Sequence, residues 1–189
     1  MKLLEDKILK EGLVLGEDIL KVDGFINHQV DVGLMEELGR DLADHFRGKG
    51  VTKVFTIESS GIAPSLFAAR ELGVPLVILK KQNAKNLQTE VWQTEVVSYT
   101  KNTSYQLTLA KNYISDTDHI LIIDDFLANG EAATGAVRLI RKAHATVAGI
   151  GVLIEKAFQP GRQKLESQGI PVYAQARIKA FEDGRVIFE

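Results

Sequence analysis

The residues able to do chemistry in this chain gather where apolar runs end. In Ile120-Leu-Ile-Ile-Asp124-Asp125-Phe-Leu-Ala128-Asn129-Gly130-Glu131-Ala132-Ala133, apolar residues stop at paired carboxylates, and a small-residue loop leads into a helical pattern. Carboxylates accept hydrogen bonds from hydroxyl groups. A thin loop lets backbone N–H groups converge on an anion at a helix start, where the helix dipole also favours negative charge. Acids beside an anion cradle suit a phosphorylated sugar, with hydroxyls on the carboxylates and phosphate on the amides. Acids at strand ends also serve as plain turn formers, but the Ala-Asn-Gly-Glu-Ala continuation into a helix favours a site.

Further candidates follow other apolar runs. Glu58-Ser59-Ser60-Gly61 comes after Val54-Phe-Thr-Ile57, and its small residues allow close approach of amides to a second phosphate. Lys80, Lys81 and Lys85 form a cationic cluster after Pro75–Leu79; a lysine-bearing loop can close over a polyanionic substrate, and Lys81 is the candidate. Lys156 ends the run Ile150–Glu155 and can present an ammonium to a carbonyl oxygen; the plainer alternative is an exposed lysine paired with Glu155. His28, His45, His119 and His144 show no metal-ligand spacing and read as structural or surface residues, with His45 and His144 in predicted helices.

Elements that could position these groups follow from periodicity. Helices are predicted over 3–11, from Asp31 to Gly48, and over 62–72, 131–143 and 160–168. Strands are predicted at 54–57, 75–79, 120–124 and 147–155, with a terminal pair at 171–179 and 185–188. Residues 13–30 read as a hairpin or cap, 80–92 including Trp92 as a loop, and 93–99 with 104–110 as an antiparallel pair around Lys101–Thr103. Strand–helix alternation predicts an α/β fold with a mostly parallel, doubly wound sheet. Right-handed crossovers then bring the loops after residues 57, 79, 124 and 155 to one edge.

Composition sets outer bounds. With 189 residues, 45% hydrophobic and 25% charged, the chain suits one domain with a real core. A net charge of −2 argues against a broad nucleic-acid-binding face. The absence of cysteine excludes disulfides and thiolate metal sites. The charged start Met1-Lys-Leu-Leu-Glu-Asp-Lys does not read as a signal peptide, and no apolar window is long enough to span a bilayer. These features lead us to expect a cytoplasmic protein with no membrane partner.

The run Leu121–Ala132 resembles the signature of the type I phosphoribosyltransferases: an apolar strand, two acids, a short linker, then Thr-Gly-Gly-Thr or similar. It departs from that pattern at Asn129 for the first Thr, Glu131 for a Gly and Ala132 for the final Thr. Ala132 offers no side-chain donor, so binding there leans on backbone amides, and Glu131 must turn away from a phosphate or be offset by a cation. Within the family, these departures are similar to the bacterial xanthine phosphoribosyltransferases. The same holds for Ile-Glu-Ser-Ser-Gly-Ile-Ala-Pro at 57–64, Leu-Lys-Val-Asp at 20–23 and Ile-Glu-Lys-Ala-Phe-Gln-Pro-Gly-Arg at 154–162. The similarity covers nearly the whole chain.

The resemblance implies transfer of a 5-phosphoribosyl group from phosphoribosyl pyrophosphate to xanthine, giving xanthosine monophosphate and pyrophosphate in purine salvage. It implies that Ala128, Asn129, Gly130, Glu131 and Ala132 hold the 5′-phosphate, that Asp124 and Asp125 face the ribose as catalytic acids, and that Leu20, Asn27 and Lys156 contact xanthine. Ser59, Ser60, Gly61 and Lys81 are expected at the pyrophosphate, Lys81 in a mobile loop that acts on its own or a neighbouring subunit's site. It further implies a homodimer, Mg²⁺ bound mainly through the substrate, and a single domain in which 1–30 and 170–189 form a hood. An adenine or orotate enzyme is disfavoured by Lys156, Leu20 and Asn27. A nucleic-acid-binding regulator on the same fold is disfavoured by the net charge.

Overall fold

The computed structural model describes residues 1–16, 18–81, 90–98 and 103–189. Lys85 and most of the expected lysine loop lie outside them, as does the turn at Lys101 and Asn102. Helix α1 (Lys2–Glu11) leads into a short antiparallel hairpin of β1 (Leu13–Leu15) and β2 (Ile19–Lys21), and a wide helical turn over Asp23–Asn27 precedes α2 (Val32–Phe46). Asp31 starts α2 by accepting from the Leu34 N–H at 3.1 Å, an N-cap that satisfies an otherwise orphaned donor. Its stripe of Leu38, Leu42 and Phe46 is buried.

Strand and helix then alternate: β3 (Lys53–Ile57), α3 (Ile62–Leu72), β4 (Leu76–Leu79), a hairpin of β5 (Val91–Ser98) and β6 (Thr103–Ala110), β7 (His119–Leu127), α4 (Glu131–Lys142), β8 (Thr146–Lys156), α5 (Gly161–Glu166), β9 (Val172–Glu182) and β10 (Arg185–Phe188). Among the described residues the main sheet has six strands in the order β10-β9-β8-β7-β3-β4. All its pairs are parallel except β9 with β10. The carboxyl ends of β3, β4, β7 and β8 therefore share one edge.

Both sheet faces are covered, which explains why β7 and β8 read as unbroken apolar runs. One core joins Leu4 of α1, Leu38 of α2 and Ala68 of α3 to Leu121, Ile123 and Leu153. The other joins Leu139 and Ile140 of α4 and Leu165 of α5 to Ile122, Ile150 and Val152, and extends to Leu107 and Leu109 of the β5–β6 hairpin. Alternate residues of β7 thus serve opposite layers, as strand geometry requires. The doubly wound α/β reading holds.

Three expectations need correction. Strand β7 does not end at the acids: it runs to Leu127, with Asp124 opposite Val152, Phe126 opposite Ile154 and Leu127 opposite Glu155. The neighbouring β8 supplies ladder partners there, so pairing overrides the polar signal of Asp124 and Asp125. The loop expected through Trp92 is too long, because β5 begins at Val91 and Trp92 pairs with Leu109. His144 lies beyond the end of α4, at φ 60°, rather than inside a helix.

Candidate active site

Strand β7 carries Asp124 and Asp125 toward the shared edge, where both are partly buried. Each carboxylate accepts from the next backbone N–H, Asp124 from Asp125 and Asp125 from Phe126, both at 3.0 Å. Burial, and then the charge of Asp125, raise the Asp124 pKa well above the ordinary aspartate value, while Lys81 opposes that rise. Asp124 therefore resists ionising beside Asp125.

Beyond Leu127 the chain turns through Ala128 and Asn129 to Gly130, whose φ of 79° suits a residue without Cβ, and α4 starts at Glu131. The loop is braced from outside. The Gly161 N–H donates to the Ala128 carbonyl at 3.0 Å, and a Cβ on Gly161 would lie 2.3 Å from that same oxygen. Lys164 Nζ sits 2.7 Å from Glu131 Oε1. Of the two ways for this loop to tolerate Glu131, turning away or an offsetting cation, α5 supplies the cation.

Glu58, Ser59, Ser60 and Gly61 join β3 to α3 beside the acids. A Cβ on Gly61 would stand 2.4 Å from Thr56 Oγ1 and 3.2 Å from Asp124 Oδ1, so only glycine lets this loop approach β7. Glu58 accepts from the Lys81 backbone N–H at 2.6 Å and from Lys80 Nζ at 3.3 Å. Lys81 is exposed, with its ammonium 5.4 Å from the centre of the Tyr105 ring. A cavity of about 390 Å³ opens between the hairpin and the small-residue loop, lined by Lys81, Tyr105, Phe126, Asn129, Gly130 and Glu131 among others.

At the other end of the site, Lys156 closes β8 and its Nζ donates to the Asp18 carbonyl at 2.5 Å, tying the strand to the β1–β2 hairpin. Burial lowers its pKa, and Asp18 partly offsets that effect. Leu20 lies in this hairpin, 7% exposed and part of the core, whereas Asn27 is exposed at the end of the Asp23–Asn27 turn. Glu155 does not pair with Lys156. Its buried carboxylate takes Arg162 Nε at 2.8 Å, Arg162 Nη2 at 2.6 Å and Arg177 Nε at 3.0 Å. Burial works against its charge, yet Arg162 and then Arg177 hold its pKa below the ordinary glutamate value. Arg162 and Lys164 were not candidates from sequence; the signal available was the position of Arg162 inside the 154–162 motif.

The edge thus combines two acids, two small-residue loops able to hold anions, and a half-buried lysine. A family model, "Phosphoribosyl transferase domain", matches residues 33–173. This chain belongs to the phosphoribosyltransferase family. Full-length relatives include the protein named "Xanthine phosphoribosyltransferase" from Agathobacter rectalis, 61% identical over 100% of this chain and 98% of its own. Another of that name from Clostridium botulinum is 56% identical over 97% of each. The fold matches a crystal structure of adenine phosphoribosyl transferase from Trypanosoma brucei, with a TM-score of 0.77, 19% identity and coverage of 92% of this chain and 79% of that one. In this phosphoribosyltransferase, Lys156 and the β1–β2 hairpin it grips close the other end of that edge.

Proposed function

We propose that this chain is a xanthine phosphoribosyltransferase, moving 5-phosphoribosyl from phosphoribosyl pyrophosphate to xanthine with release of pyrophosphate. The full-length relatives of that name support the choice of base. The observation that carries the chemistry is the convergence of Ser59–Gly61, Asp124–Asp125, the 128–132 loop and Lys156 on one sheet edge.

In this reading the 5′-phosphate sits on the amides of Ala128, Asn129, Gly130, Glu131 and Ala132, and Asp124 and Asp125 accept from the ribose hydroxyls. Breaking the C1–O bond leaves positive charge on the ribose, which the two carboxylates favour, and negative charge on the departing pyrophosphate. Amides of Ser59, Ser60 and Gly61, with Lys81, stabilise that charge. Lys156 donates to the 6-oxo group of the base, Asn27 meets its 2-oxo edge, and Leu20 supplies an apolar wall. Xanthine loses a proton readily and attacks C1 as a good nucleophile, so positioning and electrostatics carry the rate.

Among the described residues no cluster of three or more His, Cys, Asp or Glu could hold a metal. A hard cation taken up mainly through substrate phosphates, with one or two carboxylates, fits the Asp124–Asp125 pair. Mg²⁺ would supply charge neutralisation at the leaving pyrophosphate. We further propose a homodimer, a cytoplasmic location, and a hood made of 1–30 with 170–189 within one domain. The hood reading is supported by the shared burial of Leu4, Ile8 and Leu20 with Ile178 and Val186.

The test is product analysis. Protein, phosphoribosyl pyrophosphate, Mg²⁺ and xanthine should yield xanthosine monophosphate and pyrophosphate in equal amounts. Pyrophosphate release without the nucleotide would contradict the proposal.

A further inference from the structure

We infer that Lys164 is a positioning residue for phosphoribosyl pyrophosphate: it neutralises Glu131 so that a helix start bearing a carboxylate can accept a phosphate. The inference rests on the reading of residues 128–132 as the 5′-phosphate loop.

Glu131 is the first residue of α4 and is among the residues lining the cavity at the loop. An acid in a first helical turn is favourable by itself, because it answers the same partial positive charge that would hold a phosphate. Two anions at one helix start would then repel each other. Lys164 offsets the Glu131 charge, its Nζ 2.7 Å from Glu131 Oε1. Its helix is fixed independently of that pair. Arg162, two positions earlier, grips the buried Glu155 carboxylate and donates to the Val172 carbonyl at 2.8 Å, and the Gly161 N–H holds the Ala128 carbonyl. A rigid α5 therefore presents a cation to a loop it also braces.

The pair is not a stability device. Its side chains are 41% and 24% exposed, and ion pairs of that kind contribute little to folding. A functional role therefore predicts a loss in substrate binding with almost none in melting temperature.

The experiment is a double-mutant cycle on the intact protein. Lys164→Ala should raise KM for phosphoribosyl pyrophosphate about tenfold, with kcat within about twofold and an unchanged melting curve. Lys164→Arg should restore KM to within about threefold of wild type, since the charge is kept. In a Glu131→Gln background the penalty of Lys164→Ala should shrink below about twofold, because no carboxylate remains to offset. An equal penalty in both backgrounds, or none in either, would overturn the inference. So would a penalty confined to kcat, or one that tracks a fall in melting temperature. If xanthine proves not to be the base, the same cycle is read by calorimetry with ribose 5-phosphate, which needs no base. Failure of wild-type protein to bind ribose 5-phosphate would overturn the loop reading and this inference together.

Discussion

The Lys156 ammonium donates to the Asp18 carbonyl at 2.5 Å, so the last residue of β8 is fastened to the β1–β2 hairpin. A lysine at a strand end would ordinarily wave in solvent. Here its stem is half-buried and its head is committed to the segment that also carries Leu20. In the proposed reading, base recognition and N-terminal architecture meet in that contact.

Lys156→Ala should lower kcat/KM for the base by about tenfold to a hundredfold, while KM for phosphoribosyl pyrophosphate changes by less than about threefold. Steady-state kinetics with each substrate varied in turn checks this, and equal losses for both substrates would reduce Lys156 to a structural lysine. The pH profile adds a second reading. Burial lowers the Lys156 pKa, so the charged donor is lost as pH rises, earlier than for an ordinary lysine. Lys156→Arg keeps its charge throughout and should lack that alkaline limb; any change caused by ionisation of the base itself is the same in both proteins.

Asp125→Asn should reduce kcat about a hundredfold with the thermal transition preserved, because it removes charge from the reacting ribose and leaves the β7–β8 ladder intact. Near wild-type turnover would remove Asp125 from the mechanism.

Gly161→Ala, a change in α5 outside the 128–132 loop, should weaken phosphoribosyl pyrophosphate binding. The added methyl would stand 2.3 Å from the Ala128 carbonyl and 2.9 Å from Leu127 Cδ1, so the loop must shift. A rise in KM of about tenfold is expected, against little change in kcat. An unchanged KM would show that the brace from α5 is dispensable.

Glu155→Gln tests the clasp of Arg162 and Arg177 next to Lys156. Removing the buried partner of two arginines should cost about 1–3 kcal/mol of stability at neutral pH, discounted from fully buried pairs because Arg162 and Arg177 reach solvent. The sign of the pH effect follows from the lowered folded-state pKa of Glu155. Its contribution is fully present above the ordinary value of 4.5 and is lost as pH falls through the lower folded value. The gap between wild type and variant in denaturant melts should therefore narrow in acid; a gap that widens there would contradict the assignment.

These cases also show what a reader of residues can and cannot see. The helices of this fold were legible because their stripes and stops are local: Leu38, Leu42 and Phe46 mark one face, and Gly73 ends α3 in the left-handed region at φ 69°. Strands β7 and β8 were legible as apolar runs. The true end of β7 was not, since it depends on pairing with Ile154 and Glu155, some thirty residues away. The same limit applies at the site. Asp124, Asp125 and the small-residue loop announce themselves by type and spacing, and Glu131 announces that it must either turn away from a phosphate or meet a cation. That the cation is Lys164, or that Glu155 holds Arg162 and Arg177 rather than Lys156, depends on how α5 and β9 fold back, which no local pattern encodes.

The central claim is that this sheet edge transfers phosphoribosyl to an oxopurine chosen through Lys156. The most direct measurement is kcat/KM with phosphoribosyl pyrophosphate and Mg²⁺ for xanthine, guanine, hypoxanthine, adenine and orotate in turn. The account predicts the highest value for xanthine and negligible use of adenine, which lacks the 6-oxo group. Preference for adenine or orotate, or no turnover with any base by protein that binds phosphoribosyl pyrophosphate, would contradict it.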